Sequence, residues 1–213
     1  IAYQDYDNSY YGTAIVGTVS GTGISFGTAV VFQSSQANTY GVAHDSNAQK
    51  NVIFFRDQTS TAKGTVIVGT VSGTSISFNT KTAVNDGYAG GHTHNAVYDS
   101  TAQKVVLTYK DDGNNGYGTA VVYQTGYTKA TGGTIADGKA VIVNANGTVS
   151  TISSTDASIG TTAVFAASPA NLGDNIAAVF DSTNNKVVIA YRDSNQSNYG
   201  NAIVGTVSGT SIS

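Results

Sequence analysis

Apolar side chains in this chain fall into short runs, each closed within a few residues by Gly, Thr, Ser, Asn or Asp. Three runs are dense: Val52-Ile53-Phe54-Phe55, Val105-Val106-Leu107-Thr108-Tyr109 and Val187-Val188-Ile189-Ala190-Tyr191. Others alternate: in TAIVGTV at 13–19, Ala14 and Val16 share one face of an extended strand, Ile15 and Val19 the other. No window shows a 3.6-residue apolar period, so the pattern predicts strands throughout and no helix beyond two turns. A strand with one wet face alternates apolar with polar, whereas these runs are apolar on both faces and need cover on both. The pattern therefore places Ile15, Val16, Val52, Phe54, Val68, Val106, Val121, Val188, Ile189 and Val204 between sheets.

The runs recur with a period. GTAIVGTVSGTGIS at 12–25 returns as GTVIVGTVSGTSIS at 64–77 and as GNAIVGTVSGTSIS at 200–213. Asp5, Asp57, Asp111 and Asp193 are each followed seven residues later by a glycine, and Gly12, Gly64, Gly118 and Gly200 stand 52, 54 and 82 residues apart. DSNAQK (45–50), DSTAQK (99–104) and DSTNNK (181–186) lead into the three dense runs. One unit is about 52 residues, and the third carries roughly thirty more.

Each unit reads as four short strands. TYGVAHD, THNAVYD or NIAAVFD is the first, and the Asp-Ser-x-x-x-Lys segment an Asx-type turn into the second. The Asp-x6-Gly loop leads to the third strand. A Gly-Thr pair, with Gly at the first central position of a type II′ turn, leads to the fourth. Four strands in a 40–50-residue repeat, apolar on both faces, predict an all-β, β-propeller-like array of antiparallel four-stranded blades. A stacked β-solenoid is the alternative, although its rungs are usually shorter. The units span about 1–38, 39–91, 92–173 and 174–213. Ile1 aligns with Ile53 and Ile189, so the first unit lacks its first strand, and Ser213 falls inside a fourth strand. The expectation is a slice of a larger propeller rather than a closed four-bladed ring. Residues 125–160 of the third unit read as an inserted β-element, with AVIVNANGTVSTI forming a hairpin around Asn146-Gly147.

Composition narrows the function. Only 11% of residues are charged and the net charge is −3, with no basic run, so the counterion-releasing cations of a nucleic-acid binder are missing. No apolar stretch approaches the roughly 18–20 residues of a membrane-spanning helix. The absence of Cys excludes disulfides, zinc-thiolate sites and thiol catalysis. Without Met and opening on Ile1, the chain reads as mature or partial.

The segments YDSTAQKVVLTYKD, YGTAIVGTVSGTSISF-like stretches and FGTAVVF resemble repeats in long fibre-like proteins of marine bacteriophages, particularly those infecting cyanobacteria. The insert GGTIADGKAVIVNANGTVS is similar to small β-modules of such fibres, and related repeats occur in large bacterial surface proteins. The resemblance implies a tail-fibre or host-recognition role, in a virion or at a cell surface, and supplies no catalytic residue.

Candidate chemistry is sparse. His92 and His94 in GGHTH share a strand face at metal-pair spacing, but Asn38/Tyr40 and Asp174/Ile176 stand at the same positions elsewhere, which favours ordinary polar residues. His44 occupies the slot of Tyr98 and Phe180, which packing explains. Asp5, Asp57, Asp111 and Asp193 sit in equivalent loops and offer one environment four times, unlike the two dissimilar carboxyls of a glycosidase. The residue before them is Gln4, Arg56, Lys110 or Arg192, so no arginine cluster of the sialidase kind emerges, and the Trp of an Asp-box is absent.

The loops themselves are richer. Asp5 with Tyr11, Asp111 with Tyr117 and Asp193 with Tyr199 place an aromatic near Asn and Asp, a composition able to stack on and hydrogen-bond sugars, while Lys63 replaces the tyrosine in the second copy. The expected function is a non-enzymatic binding and structural module of a viral fibre or extracellular appendage. It would meet a host-surface glycan or receptor, assemble with other appendage subunits or itself, and use no metal or organic cofactor. The alternatives are a propeller glycosidase or lyase on surface polysaccharide, an adhesin and a structural spacer.

Overall fold

The computed structural model describes residues 1–59, 61–91, 93–129, 141–143, 149–154, 157–166, 176–193 and 197–213. The chain is all-β and built from antiparallel sheets, and among the described residues the only helical element is a 3-10 turn at Asp112–Asn114. Among the described residues these sheets do not close into a barrel or ring.

The first unit pairs β1 (Ala2–Asp5) with β2 (Tyr11–Ala14), followed by a hairpin of β3 (Gly17–Ser20) and β4 (Gly23–Phe26). Strand β5 (Val30–Asp45) then does two jobs. Its first half pairs with β2 through two register shifts, and its second half pairs with β6 (Lys50–Asp57), so one strand passes from the first sheet into the second. Bulges of this kind bend a strand and let it change sheets.

In the second unit β6 pairs with β7 (Lys63–Ser72). The outer edge of β7 is covered by β8 (Ser75–Phe78) near the hairpin and by β9 (Thr82–Ala83) farther down. The third unit holds β10 (Asn95–Asp99), β11 (Lys104–Asp111) and β12 (Tyr117–Gln124). A separate sheet interrupts it, with β13 (Tyr127–Lys129) and β14 (Val141–Val143) flanking β15 (Val149–Ser154). The chain then returns to β12 as β16 (Ser158–Ile159) and β17 (Ala163–Ala166). The Asn146-Gly147 turn lies outside the described residues. The fourth unit is β18 (Ile176–Asp181), β19 (Lys186–Asp193) and β20 (Tyr199–Gly205), with a hairpin of β21 (Val207–Ser208) and β22 (Ser211–Ile212).

Turn chemistry sets these pairings. Asp45 Oδ1 accepts the amides of Asn47 and Ala48, Asp99 Oδ1 those of Thr101 and Ala102, and Asp181 Oδ1 those of Thr183 and Asn184. Each turn ends on a left-handed residue (Gln49, Gln103 or Asn185) just before the lysine. In the Gly-Thr hairpins only the glycine has positive φ, near +60° at Gly21, Gly73 and Gly209, as a type II′ turn requires.

Alternation along the dense runs decides the packing. Val52 and Phe54 point from β6 toward the third unit, where they meet Val105, Leu107, Tyr109 and Val121. Ile53 and Phe55 point the other way, onto Ala14, Ala37 and Phe32 beside the first unit. Val106 and Val122 of the third unit in turn face Val187 and Ile189 of the fourth. Every inner sheet thus buries both faces, and fully covering a Phe or Val side chain stabilises by about 1.5–3 kcal/mol. The first strands of successive units run side by side, close enough that a Cβ on Gly41 would overlap the backbone at Asn95 and Ala96.

Six of the ten side chains expected between sheets are buried: Val52, Phe54, Val68, Val106, Val121 and Ile189. Ile15, Val16 and Val188 are half-buried and Val204 is exposed, because the first and fourth units each have only one neighbouring sheet.

Successive units also meet at their hairpins. A Cβ on Gly27 would overlap the Thr74 carbonyl of the second unit's hairpin, and one on Gly160 would overlap the Thr210 carbonyl of the fourth's. The equivalent residue of the second unit is Asn79. The three positions are matched by one hydrogen bond, from Gly27 N to Val16 O (2.9 Å), Asn79 N to Val68 O (3.0 Å) and Gly160 N to Val122 O (2.8 Å). A side chain is tolerated at Asn79 because the next unit carries its inserted sheet where that hairpin would be, and Asn79 is exposed.

Candidate functional site

The Asp-x6-Gly loops join the second and third strands of each unit. Their ends are cross-strand pairs: Asp5 opposite Tyr11, Asp57 opposite Lys63, Asp111 opposite Tyr117 and Asp193 opposite Tyr199. Two consecutive left-handed residues close each loop, namely Ser9-Tyr10, Thr61-Ala62, Asn115-Gly116 and Ser197-Asn198. A non-glycine residue held there costs roughly 1–2 kcal/mol, so something must hold the loops in shape.

The segments between units do so. Ala37 N donates to Tyr10 O (3.3 Å) and Ala89 N to Ala62 O (3.0 Å), each on the carbonyl of the second left-handed residue. On their other side Gln58 N donates to Gln36 O (3.2 Å), and Gly90 N to Lys110 O (2.8 Å). Connectors are therefore wedged between neighbouring loops, which brings the first three loops to one end of the stacked sheets.

The four aspartates do not share one environment, contrary to the reading of the repeat. Asp57 is buried, with Oδ2 accepting from Lys81 Nζ (2.6 Å) and Oδ1 from Gln33 Nε2 (2.9 Å), Thr59 N (3.0 Å) and Thr59 Oγ1 (2.6 Å). Burial pushes its carboxyl up, but the bonds from Lys81 and Thr59 outweigh this and hold it below the ordinary carboxylate range. Asp111 goes the other way. Burial lifts it above that range with help from neighbouring Asp112, against hydrogen bonds from Asn85 and the amides of Gly113 and Asn114. The difference comes from residues outside the repeat motif, since Lys81 and Gln33 surround only Asp57. Asp193 is buried and Asp5 half-buried. Both oxygens of Asp57 accept from donors of its own fold, which suits a loop organiser.

The tyrosines also redistribute. Tyr199 is 66% exposed, but Tyr11 and Tyr117 are half-buried at the loop bases. In the first loop the exposed rings are Tyr6 and Tyr10, packed edge to face at 5.0 Å, with Tyr6 71% exposed. Between the second and third loops Tyr88 offers a further exposed ring, with the guanidinium of Arg56 4.3 Å from its centroid. Repeat alignment pointed to Tyr11 because it recurs. Tyr6, Tyr10 and Tyr88 have no counterpart in the other units, and their only signal is an aromatic within a polar, Gly-flanked loop.

His94 is buried between Phe54 (4.7 Å between ring centroids) and Tyr109 (6.4 Å), an aromatic stack of the core, while His92 lies outside the described residues. His44 does not pack in its aromatic slot. It is exposed, with Nδ1 3.2 Å from Asn51 Oδ1. Among the described residues no three His, Asp or Glu side chains gather as a metal site.

Among the described residues, one cleft of about 200 Å³ lies between the first and second units and another of about 100 Å³ between the third and fourth. Apolar groups make up most of both linings, and no Asp, His or Lys side chain lines either, so neither offers the convergent polar side chains of a ligand pocket. No protein-family model, curated protein or solved structure matches this chain.

Proposed function

We propose that the chain is a non-enzymatic structural and binding module of an extracellular or virion appendage, a propeller-like array of blades that recognises a surface glycan through its loop end. The observation that carries the binding reading is the set of exposed tyrosines near Asp and Asn: Tyr6 and Tyr10 on a loop that a connector braces, Tyr88 on the connector between the second and third loops, and Tyr199 at the end of the fourth loop. An aromatic face can lie on the apolar side of a pyranose while amides and carboxylates bond its hydroxyls. The blade reading is supported by the adjacency of first strands β5, β10 and β18, the arrangement of inner strands in radially disposed sheets. Single sites of this kind are weak, and repetition on one appendage raises avidity about 10²–10⁴-fold. That gain serves a binder and does little for a single-site enzyme.

The test is adsorption to immobilised glycans or host cells by a variant with Tyr6, Tyr10, Tyr88 and Tyr199 all changed to Ala. The fold should persist, since these rings are outside the core, and adsorption should be lost. Undiminished adsorption by the folded variant would move the function to a structural spacer.

A further inference from the structure

The two ends of the sheet stack are unlike each other, and each matches one side of an internal contact. At the first unit's open face Ile1, Ile24 and Phe26 are exposed. Their equivalents in the second unit are Ile53, Ile76 and Phe78, which pack against the first unit, with Phe78 5.5 Å from Phe32. Ile189 and Ile212 of the fourth unit, equivalent to Ile1 and Ile24, are likewise buried against the third. At the other end Val179 and Val204 are exposed on the outer face of the fourth unit. Their equivalents Ala43 and Val68 are buried against the third unit, and Val97 and Val122 pack against the fourth.

We propose that a second copy of this chain docks head to tail, the Ile1/Ile24/Phe26 face of one seating on the Val179/Val188/Val204 face of the next. The occupant is identified by the molecule itself, because inside the chain these two surfaces already cover one another at successive unit contacts. The contact is heterologous, so it leaves one free face of each kind and propagates, into a ring if the rotation closes and a filament if it does not. Such growth would multiply the loop end along an appendage, although the contact does not depend on what the loops bind.

The experiment uses two double variants of the full chain, Ile24→Asp/Phe26→Asp on one face and Val179→Asp/Val204→Asp on the other. All four side chains are exposed, so circular dichroism and thermal unfolding should match the parent at low concentration. Sedimentation equilibrium should show the parent associating with rising concentration, into a closed ring of two or more copies or a longer assembly, and each variant alone remaining monomeric. An equimolar mixture should stop at a one-to-one dimer, since one intact face of each kind remains. A parent that stays monomeric, a variant that still self-associates, or a mixture that forms no complex would overturn the proposal.

Discussion

Val68 and Val204 are the same residue at the same place in the same repeated strand, inside the shared stretch IVGTVSGTSIS. Val68 is 5% exposed and Val204 57%. Nothing within their own units separates them, since each lies beside a valine of the preceding strand, Val52 in one case and Val188 in the other. The difference is that the third unit covers Val68 and no unit covers Val204. A repeated sequence therefore specifies a surface that is either core or interface, and its position in the stack decides which. Gly160 and Asn79 make the same point with opposite polarity: where the next hairpin seats, the residue is glycine, and where it does not, a side chain stands.

The sharpest way to break that comparison is one charge at both valines. Val68→Asp places an unpaired carboxylate in the core and should cost about 4 kcal/mol or more. Val204→Asp should change stability by less than about 0.5 kcal/mol when measured by urea unfolding of dilute protein. Equal losses would show that neighbour cover does not set the difference.

The hairpin seats give the next largest effect. Gly160→Ala adds a methyl against the Thr210 carbonyl, a backbone atom that moves only with its hairpin, and should cost about 1–3 kcal/mol. Asn79→Ala should stay within about 0.5 kcal/mol. The same denaturant midpoints decide it, and a neutral Gly160→Ala would mean that the hairpin shifts freely.

The smallest effect concerns the loop aspartates. Asp57 has a folded pKa below its unfolded one, so its stabilisation is present above the unfolded value and is lost as pH falls through the folded value. Asp111 has the reverse shift. The folded state binds the proton more tightly, so stability falls as pH rises from the ordinary carboxylate pKa through the raised one. Asp57→Asn should therefore be less stable than the parent at neutral pH, with the gap closing in acid. Asp111→Asn should remove a slope of opposite sign. Stability-against-pH curves of both variants test this, and parallel curves would show that the two loops share one environment after all.

Much of the fold was legible because its determinants are local. Dense apolar runs at Val52–Phe55 and Val105–Tyr109 require cover on two faces, and an Asp before Ser-x-x-x-Lys bonds amides two and three residues ahead wherever it occurs. The third unit's extra length was visible too, because it interrupts the repeat at the place of the Gly-Thr hairpin. The candidate site was less legible. Alignment by repeat selects what recurs, and so selected Tyr11, Tyr117 and Tyr199, of which Tyr199 is exposed, whereas the exposed rings Tyr6, Tyr10 and Tyr88 do not repeat.

What the sequence by itself determined is the content of a unit: strands from two-residue alternation, turns from Asp and Gly, and faces apolar on both sides. Tertiary structure alone decided which faces are covered, which aspartate is raised and which lowered, and which tyrosines meet water. Those outcomes depend on partners tens of residues away, such as Lys81 at Asp57 and the third unit over Val68, and a strand's own period carries no information about what lies across from it.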